Sequence, residues 1–156
     1  EPGAGTTFKI YLPLDRGPAE AEIQKDEEQA PLRGGNETIL VAEDDARLRQ
    51  LTVRVLRHHG YTVIEAVDGL DAVAKAMENR DKINLVLLDG IMPSMNGKEV
   101  WQEIKALNKK IKAVFMSGYS EDIFTKDGIP GGDTCFIQKP ATPSVIVRKI
   151  RAVLDE

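Results

Sequence analysis

Apolar residues follow two different rules along this chain, and the change comes at Thr38. From there onward, short continuous apolar runs alternate with segments in which apolar residues return every three or four positions. Ile39-Leu40-Val41-Ala42 is too continuous for a half-exposed strand and reads as a strand covered on both faces. Leu48, Leu51 and Val55 recur at helical spacing, and Gly60 stands where a helix ends. Tyr61 to Ala66 reads as a second strand, followed by an amphipathic helix marked by Leu70, Val73, Ala74 and Met77. A third strand runs from Ile83 to Leu88, with a helix marked by Val100, Ile104 and Leu107 behind it. Lys112 to Met116 is a fourth strand, trailed by a short, weak helix around Glu121 to Lys126. Thr134 to Gln138 is a fifth, and Ile146, Ile150 and Val153 mark one face of a last helix. Strands alternating with helices predict an α/β domain, its parallel sheet covered by helices on both sides. Such sheets place ligands beyond the carboxyl ends of the strands, where the strand order reverses.

The strand ends therefore carry the interest. The first strand runs into Glu43-Asp44-Asp45, the third ends at Asp89, the fourth at Ser117 and the fifth at Lys139-Pro140. Singly, each has an ordinary reading: acids at a helix N-terminus, a serine at a strand end, a solvated lysine. Asp45 fits the capping role, and Pro140 admits a cis bond. Jointly they favour a site, because acid, acid, hydroxyl and base come from separate strands to one crevice. Clustered carboxylates oppose folding unless a cation sits among them, and Mg2+ suits hard oxygen donors with a position left for a phosphate oxygen.

The set Leu40-Val41-Ala42-Glu43-Asp44-Asp45, Leu87-Leu88-Asp89-Gly90-Ile91-Met92-Pro93-Ser94-Met95-Asn96-Gly97, Met116-Ser117-Gly118 and Gln138-Lys139-Pro140 resembles the receiver domain of two-component response regulators. The resemblance implies a flavodoxin-like, doubly wound sheet of five parallel strands in the order 2-1-3-4-5, with residues 38–156 as the receiver. It implies Asp89 as phosphoacceptor. A Mg2+ ion would be bound by Asp44, Asp89 and the Ile91 backbone carbonyl, and by Glu43 through water. Ser117 and Lys139 would bind the phosphoryl group, Phe136 would be a switch aromatic, and Ile91 and Tyr119 would modulate phosphoryl lifetime. It further implies that the domain catalyses its own phosphorylation from a phosphohistidine and its own dephosphorylation. Asn96 stands where the family often has Asp, and residues 119–132 carry only a weak helical pattern.

Composition bounds the rest. The 156 residues suit one compact domain with an appendage, and 42% hydrophobic content supplies a core. Residues 15–37 hold seven acids against three bases, which accounts for the whole net charge of −4; with Pro18, Pro31 and Gly34-Gly35 they read as an acidic linker. The remainder is balanced and shows no basic stripe, so nucleic-acid binding has little support. The single Cys135 excludes an intrachain disulfide and fits a reducing, cytoplasmic setting, and no apolar run reaches membrane-span length.

Residues 1–14, with Gly3-Ala4-Gly5-Thr6-Thr7-Phe8-Lys9-Ile10-Tyr11-Leu12-Pro13, resemble the end of the ATP-binding domain of sensor histidine kinases. The parent is therefore expected to be a hybrid histidine kinase, a transferase whose membrane anchor, if any, lies elsewhere. The expected partner is a histidine kinase or histidine phosphotransfer domain, and a homodimer is left open. With no DNA-binding segment after the last helix, output is expected through protein contacts. His58 and His59 read as cations at a helix C-terminus rather than phosphodonors, and Trp101 and Cys135 as packing residues. Two other functions compete. A haloacid-dehalogenase-type phosphatase would need a second acid where Ile91 stands, and a degenerate receiver would lack some of the chemical residues that are all present here.

Overall fold

The structure is a computed structural model that describes residues 32–118 and 134–156, together with Gly3, Gly5, Phe8 and Lys9. The chain divides into two units, Glu1–Ala30 and Pro31–Glu156. The expected short helix around residues 121–126 and most of the expected linker and N-terminal segment lie outside the described residues.

Among the described residues of the second unit, nine elements follow in order: β1 (Thr38–Ala42), α1 (Ala46–His58), β2 (Thr62–Ala66), α2 (Gly69–Glu78), β3 (Ile83–Asp89), α3 (Gly97–Leu107), β4 (Lys112–Ser117), β5 (Thr134–Gln138) and α4 (Pro143–Asp155). The strands form one sheet in the order β2-β1-β3-β4-β5, every neighbouring pair parallel. This is the doubly wound, flavodoxin-like order expected from the sequence.

Strand periodicity divides the core into two layers. Leu40 and Ala42 of β1 and Val86 and Leu88 of β3 pack with α2 and α3 through Ala72, Ala76, Val100, Trp101 and Ile104. Ile39 and Val41, with Leu85 and Leu87, pack on the other face with α1 and α4 through Val53, Leu56, Ile146 and Ile150. The continuous apolar runs are thus explained: both faces of the central strands are covered.

Two helices bury a stripe displaced from the one their largest residues mark. In α1 the buried residues are Thr52, Val53 and Leu56, while Leu48 and Leu51 are 45% and 53% exposed. In α2 Gly69, Ala72 and Ala76 face inward, and Leu70 and Met77 face solvent. Small side chains let α2 lie close to the sheet, so the bulky ones are left outside. In α3 and α4 the expected stripes are the packed ones.

The helix ends follow local chemistry. Asp45 caps α1 by accepting from the backbone N–H groups of Arg47 and Leu48. Asn96 and Glu99 form a reciprocal capping box at α3. Gly60, with φ of +93°, turns the chain after the α1 cap at His59. Gly34 and Gly35, which read as linker glycines, are packed against the domain. A Cβ on Gly34 would collide with the His59 carbonyl, and one on Gly35 with the Glu37 carboxylate. Arg151 of α4 holds Glu37 at 2.8 Å and Asp155 at 2.8 Å beside the buried Tyr61.

Candidate functional site

The sheet order reverses between β1 and β3, and the register there fixes what meets. Ala42 lies beside Leu88, so Glu43 and Asp89 leave the sheet side by side. Asp89 lies beside Met116 on β4, and Ser117 beside Gln138 on β5, which brings the next residue, Lys139, to the same end. The backbone locks these ends together: Gly90 N–H donates to the Met116 carbonyl (2.8 Å), and Lys139 N–H to the Ser117 carbonyl (2.7 Å). The Lys139–Pro140 peptide is cis. Behind Asp89, the first residue of α3 must be small, because a Cβ on Gly97 would collide with the Asp89 carbonyl oxygen.

The side chains converge accordingly. Oxygens of Glu43, Asp44 and Asp89 lie within 4.8 Å of one another. Lys139 Nζ reaches Glu43 Oε2 at 2.8 Å and Asp89 Oδ2 at 3.0 Å. Glu43 is 6% exposed and Ser117 1%, whereas Asp44 faces solvent and Asp89 is half-buried. The Ile91 N–H approaches Asp89 Oδ1 at 3.4 Å, and the Ile91 side chain is exposed. Phe136 lies beside Phe115 and packs, partly buried, on the layer that contains α2 and α3. Tyr119 is outside the described residues.

Electrostatics reveals competition for one lysine. Burial pushes the Glu43 carboxyl above the usual range; the bond from Lys139 pulls it back only in part, and the charge of Asp89 pushes it up again. Burial would depress the Lys139 ammonium, but its hydrogen bonds to Glu43 and Asp89 outweigh that and hold it above its ordinary value. The two shifts agree once the sharing is considered. Lys139 sees two anions, whereas Glu43 sees a shared cation, a second anion and little water. The three carboxylates outnumber the Lys139 ammonium that two of them share, and a divalent cation would offset the excess. All three donors are hard oxygens, and the opening on the Asp44 side admits solvent ligands, so the residues fit Mg2+.

One face of the site continues into an apolar cavity of about 380 Å³ between α1 and α4, lined by Leu48, Leu51, Val55, Pro143, Ile146 and Lys139 among others. The leucines that face away from the core thus border the site.

Sequence reasoning located Glu43, Asp44, Asp89, Ser117 and Lys139 at neighbouring strand ends. It missed Gly97 as the small residue behind Asp89 and Arg49 as a donor to the β1–α1 turn. For Gly97 the available signal was a glycine opening a helix next to the acid-bearing strand. For Arg49 there was none, since its acceptors are backbone carbonyls.

The profile of the response regulator receiver domain family matches residues 39–151. The chain belongs to the response regulator receiver family. Among relatives of this receiver, the sensor kinase CckA of Brucella abortus (strain 2308) is 33% identical over 163 residues, covering 100% of this chain and 17% of CckA. The transcriptional regulatory protein ResD of Bacillus subtilis (strain 168) is 34% identical over 120 residues, covering 76% of this chain and 49% of ResD. The crystal structure of the receiver domain from the hybrid histidine kinase CckA shares 29% identity at a TM-score of 0.65, covering 75% of this chain and 98% of that one. The receiver therefore spans less than half the length of either full-length relative. Among its described residues no helix is long and apolar enough to cross a membrane.

Proposed function

We propose that this receiver accepts a phosphoryl group from a phosphohistidine onto Asp89, in a Mg2+-dependent reaction, as part of a hybrid sensor histidine kinase. The observation that carries the chemistry is the acidic cluster around a shared lysine: Glu43, Asp44 and Asp89 gather their oxygens within 4.8 Å, and Lys139 reaches two of them. Such a cluster makes sense as a place where a cation and a phosphoryl group are received together.

Asp44 and Asp89 would hold the ion directly with the Ile91 carbonyl, and Glu43 would act through water. When bound, Mg2+ supplies charge neutralisation at the oxygens of the transferring group. The rest falls to the chain. An Asp89 carboxylate oxygen attacks phosphorus in line with the departing imidazole nitrogen; the P–N bond breaks as the O–P bond forms. Lys139 leaves its carboxylate partners to pair with a phosphoryl oxygen, and Ser117 donates a hydrogen bond to another. Hydrolysis of the acyl phosphate by water restores the carboxylate, with Ile91 and Tyr119 setting the access of that water. Motion of Ser117 toward the phosphoryl group would let Phe136 turn inward, which makes Phe136 the switch. Identical Phe136 environments in free and phosphoryl-mimic states would remove that role.

The apolar cavity beside Lys139, with the outward leucines of α1, offers the phosphohistidine-bearing helix of a kinase or phosphotransfer partner a surface next to Asp89. Placement in a hybrid kinase is supported by how far the similarity reaches. It runs through the whole chain for the sensor kinase CckA but covers 76% for the regulator ResD. Residues 1–14 are accordingly read as the end of an ATP-binding domain and residues 15–37 as the acidic connection to the receiver.

The test is phosphorylation by acetyl phosphate followed by intact mass. A stable, Mg2+-dependent gain of one phosphoryl group is expected, abolished by chelation and in Asp89→Asn. Continuous release of phosphate without a stable adduct would indicate a phosphatase. No gain under any condition would indicate a module that binds partners without phosphorylation.

A further inference from the structure

Arg49 bears on the site without touching a carboxylate. Its backbone N–H makes the first helical bond of α1, to the Asp45 carbonyl at 2.9 Å. Its side chain folds back past the helix start, and Nη1 donates to the Glu43 carbonyl at 2.7 Å and approaches the Asp44 carbonyl at 3.4 Å. The side chain is half-buried.

This placement is costly for a cation site. A guanidinium is always charged, and standing beside the two acids it repels an incoming divalent ion. If charge were its only contribution, the site would bind Mg2+ better without it. What the guanidinium gains is the backbone. The peptide carbonyls of Glu43 and Asp44 belong to the turn between β1 and α1, and the helix consumes neither. Charge-assisted bonds to both fix the direction of the turn, and therefore of the two carboxylates it carries. The other anchors of this turn lie on either side of the acids: Glu43 N–H on the Ala66 carbonyl at 3.3 Å, and Asp45 as the helix cap. Arg49 is the described side chain that holds the acidic pair by its own carbonyls.

We infer that Arg49 is a positioning residue for the cation site: it clamps the Glu43 and Asp44 carbonyls so that both carboxylates face Asp89, and the clamp outweighs its repulsion of the ion. The inference rests on the phosphoacceptor reading above and adds to it a residue outside the ligand set. Arg47 provides the control, because it is an exposed arginine of the same helix with no hydrogen bond to either carbonyl among the described residues.

The experiment is equilibrium Mg2+ titration by calorimetry, without phosphorylation, on wild type, Arg49→Ala, Arg49→Lys and Arg47→Ala. Loss of a supporting partner behind metal ligands costs about 10–100-fold in affinity, and Arg49→Ala is expected in that range. Arg49→Lys keeps the charge, but its shorter side chain cannot bring the ammonium to where Nη1 meets both carbonyls, so it should fall between wild type and alanine. Arg47→Ala, which removes the same charge, should bind as well as wild type or slightly better. In the metal-free proteins, the amide resonances around Glu43 and Asp44 should move in Arg49→Ala and stay in Arg47→Ala. Unchanged or tighter Mg2+ binding by Arg49→Ala would overturn the inference. If that variant fails to fold, Arg49→Lys decides: wild-type affinity there overturns it equally. Wild-type protein that binds no Mg2+ would overturn the phosphoacceptor reading and this one together, whereas Mg2+ binding by wild type with no deficit in the Arg49 variants would overturn this one alone.

Discussion

Lys139 sits between two carboxylates that both need it, and that sharing governs the behaviour of single residues at the site. Because the Glu43 carboxyl is held above its unfolded range, the folded protein binds that proton more tightly than the unfolded chain does. The stability it confers is present at low pH and lost as pH rises from the ordinary carboxylate range through the raised value. Metal-free Glu43→Gln is therefore expected to be at least as stable as wild type at pH 7 in urea unfolding, while binding Mg2+ more weakly. A clear loss of stability would mean that the ion pair, not the burial cost, dominates. Lys139→Met should slow phosphorylation by acetyl phosphate about 100-fold or more, the usual cost of removing one preorganised donor. These residues were legible in the sequence because strand ends are easy to find and the acids, serine and lysine are chemically conspicuous. Arg49 was not, since a side chain that binds peptide carbonyls selects no particular partner residue and leaves no spacing pattern.

At the scale of elements, legibility depended on what each helix packs against. In α3 and α4 the large apolar residues face the sheet, and the helical period gave both the helix and its buried side. In α1 and α2 the period gave the helix, but the buried side is displaced from the largest residues. Ala72 and Ala76 are the contact residues of α2, and an alanine carries too little hydrophobic signal to outvote Leu70 and Met77. The glycine pair before β1 misled in a similar way. Flexibility and close approach look alike in sequence, and here close approach is the reason. Gly34→Ala should therefore destabilise the domain by about 1–3 kcal/mol through overpacking against His59. A mere linker glycine would instead gain about 0.4–1 kcal/mol. Urea unfolding distinguishes the signs. The Arg151 pair nearby gives a second check. Burial would raise the Glu37 carboxyl, but Arg151 outweighs it and holds it below its ordinary value. The pair thus stabilises above the unfolded carboxylate value and is lost as pH falls through the lowered one, so Glu37→Gln should flatten the acid limb of the stability profile.

For the molecule as a whole, the order β2-β1-β3-β4-β5 does the assembling: it sets the ends of β1 and β3 side by side and brings β4 and β5 in behind them. That order could be expected from alternating strands and helices together with the receiver-like motifs, since right-handed crossovers leave few alternatives. The surroundings of the domain were less legible, because the acidic, Pro- and Gly-containing stretch before it has no period to read. If the cluster of Glu43, Asp44 and Asp89 holds Mg2+ only in the folded state, the ion at a hundred times its dissociation constant should stabilise the domain by about 2.7 kcal/mol. The most direct test is to find where phosphorus becomes attached. Borohydride reduces an aspartyl phosphate to homoserine, so protein treated with acetyl phosphate and Mg2+, then reduced and mapped by peptide sequencing, should carry homoserine at position 89 alone. Reduction at Asp44, or a phosphorylated protein with aspartate intact at 89, would contradict the assignment of Asp89 as the phosphoacceptor.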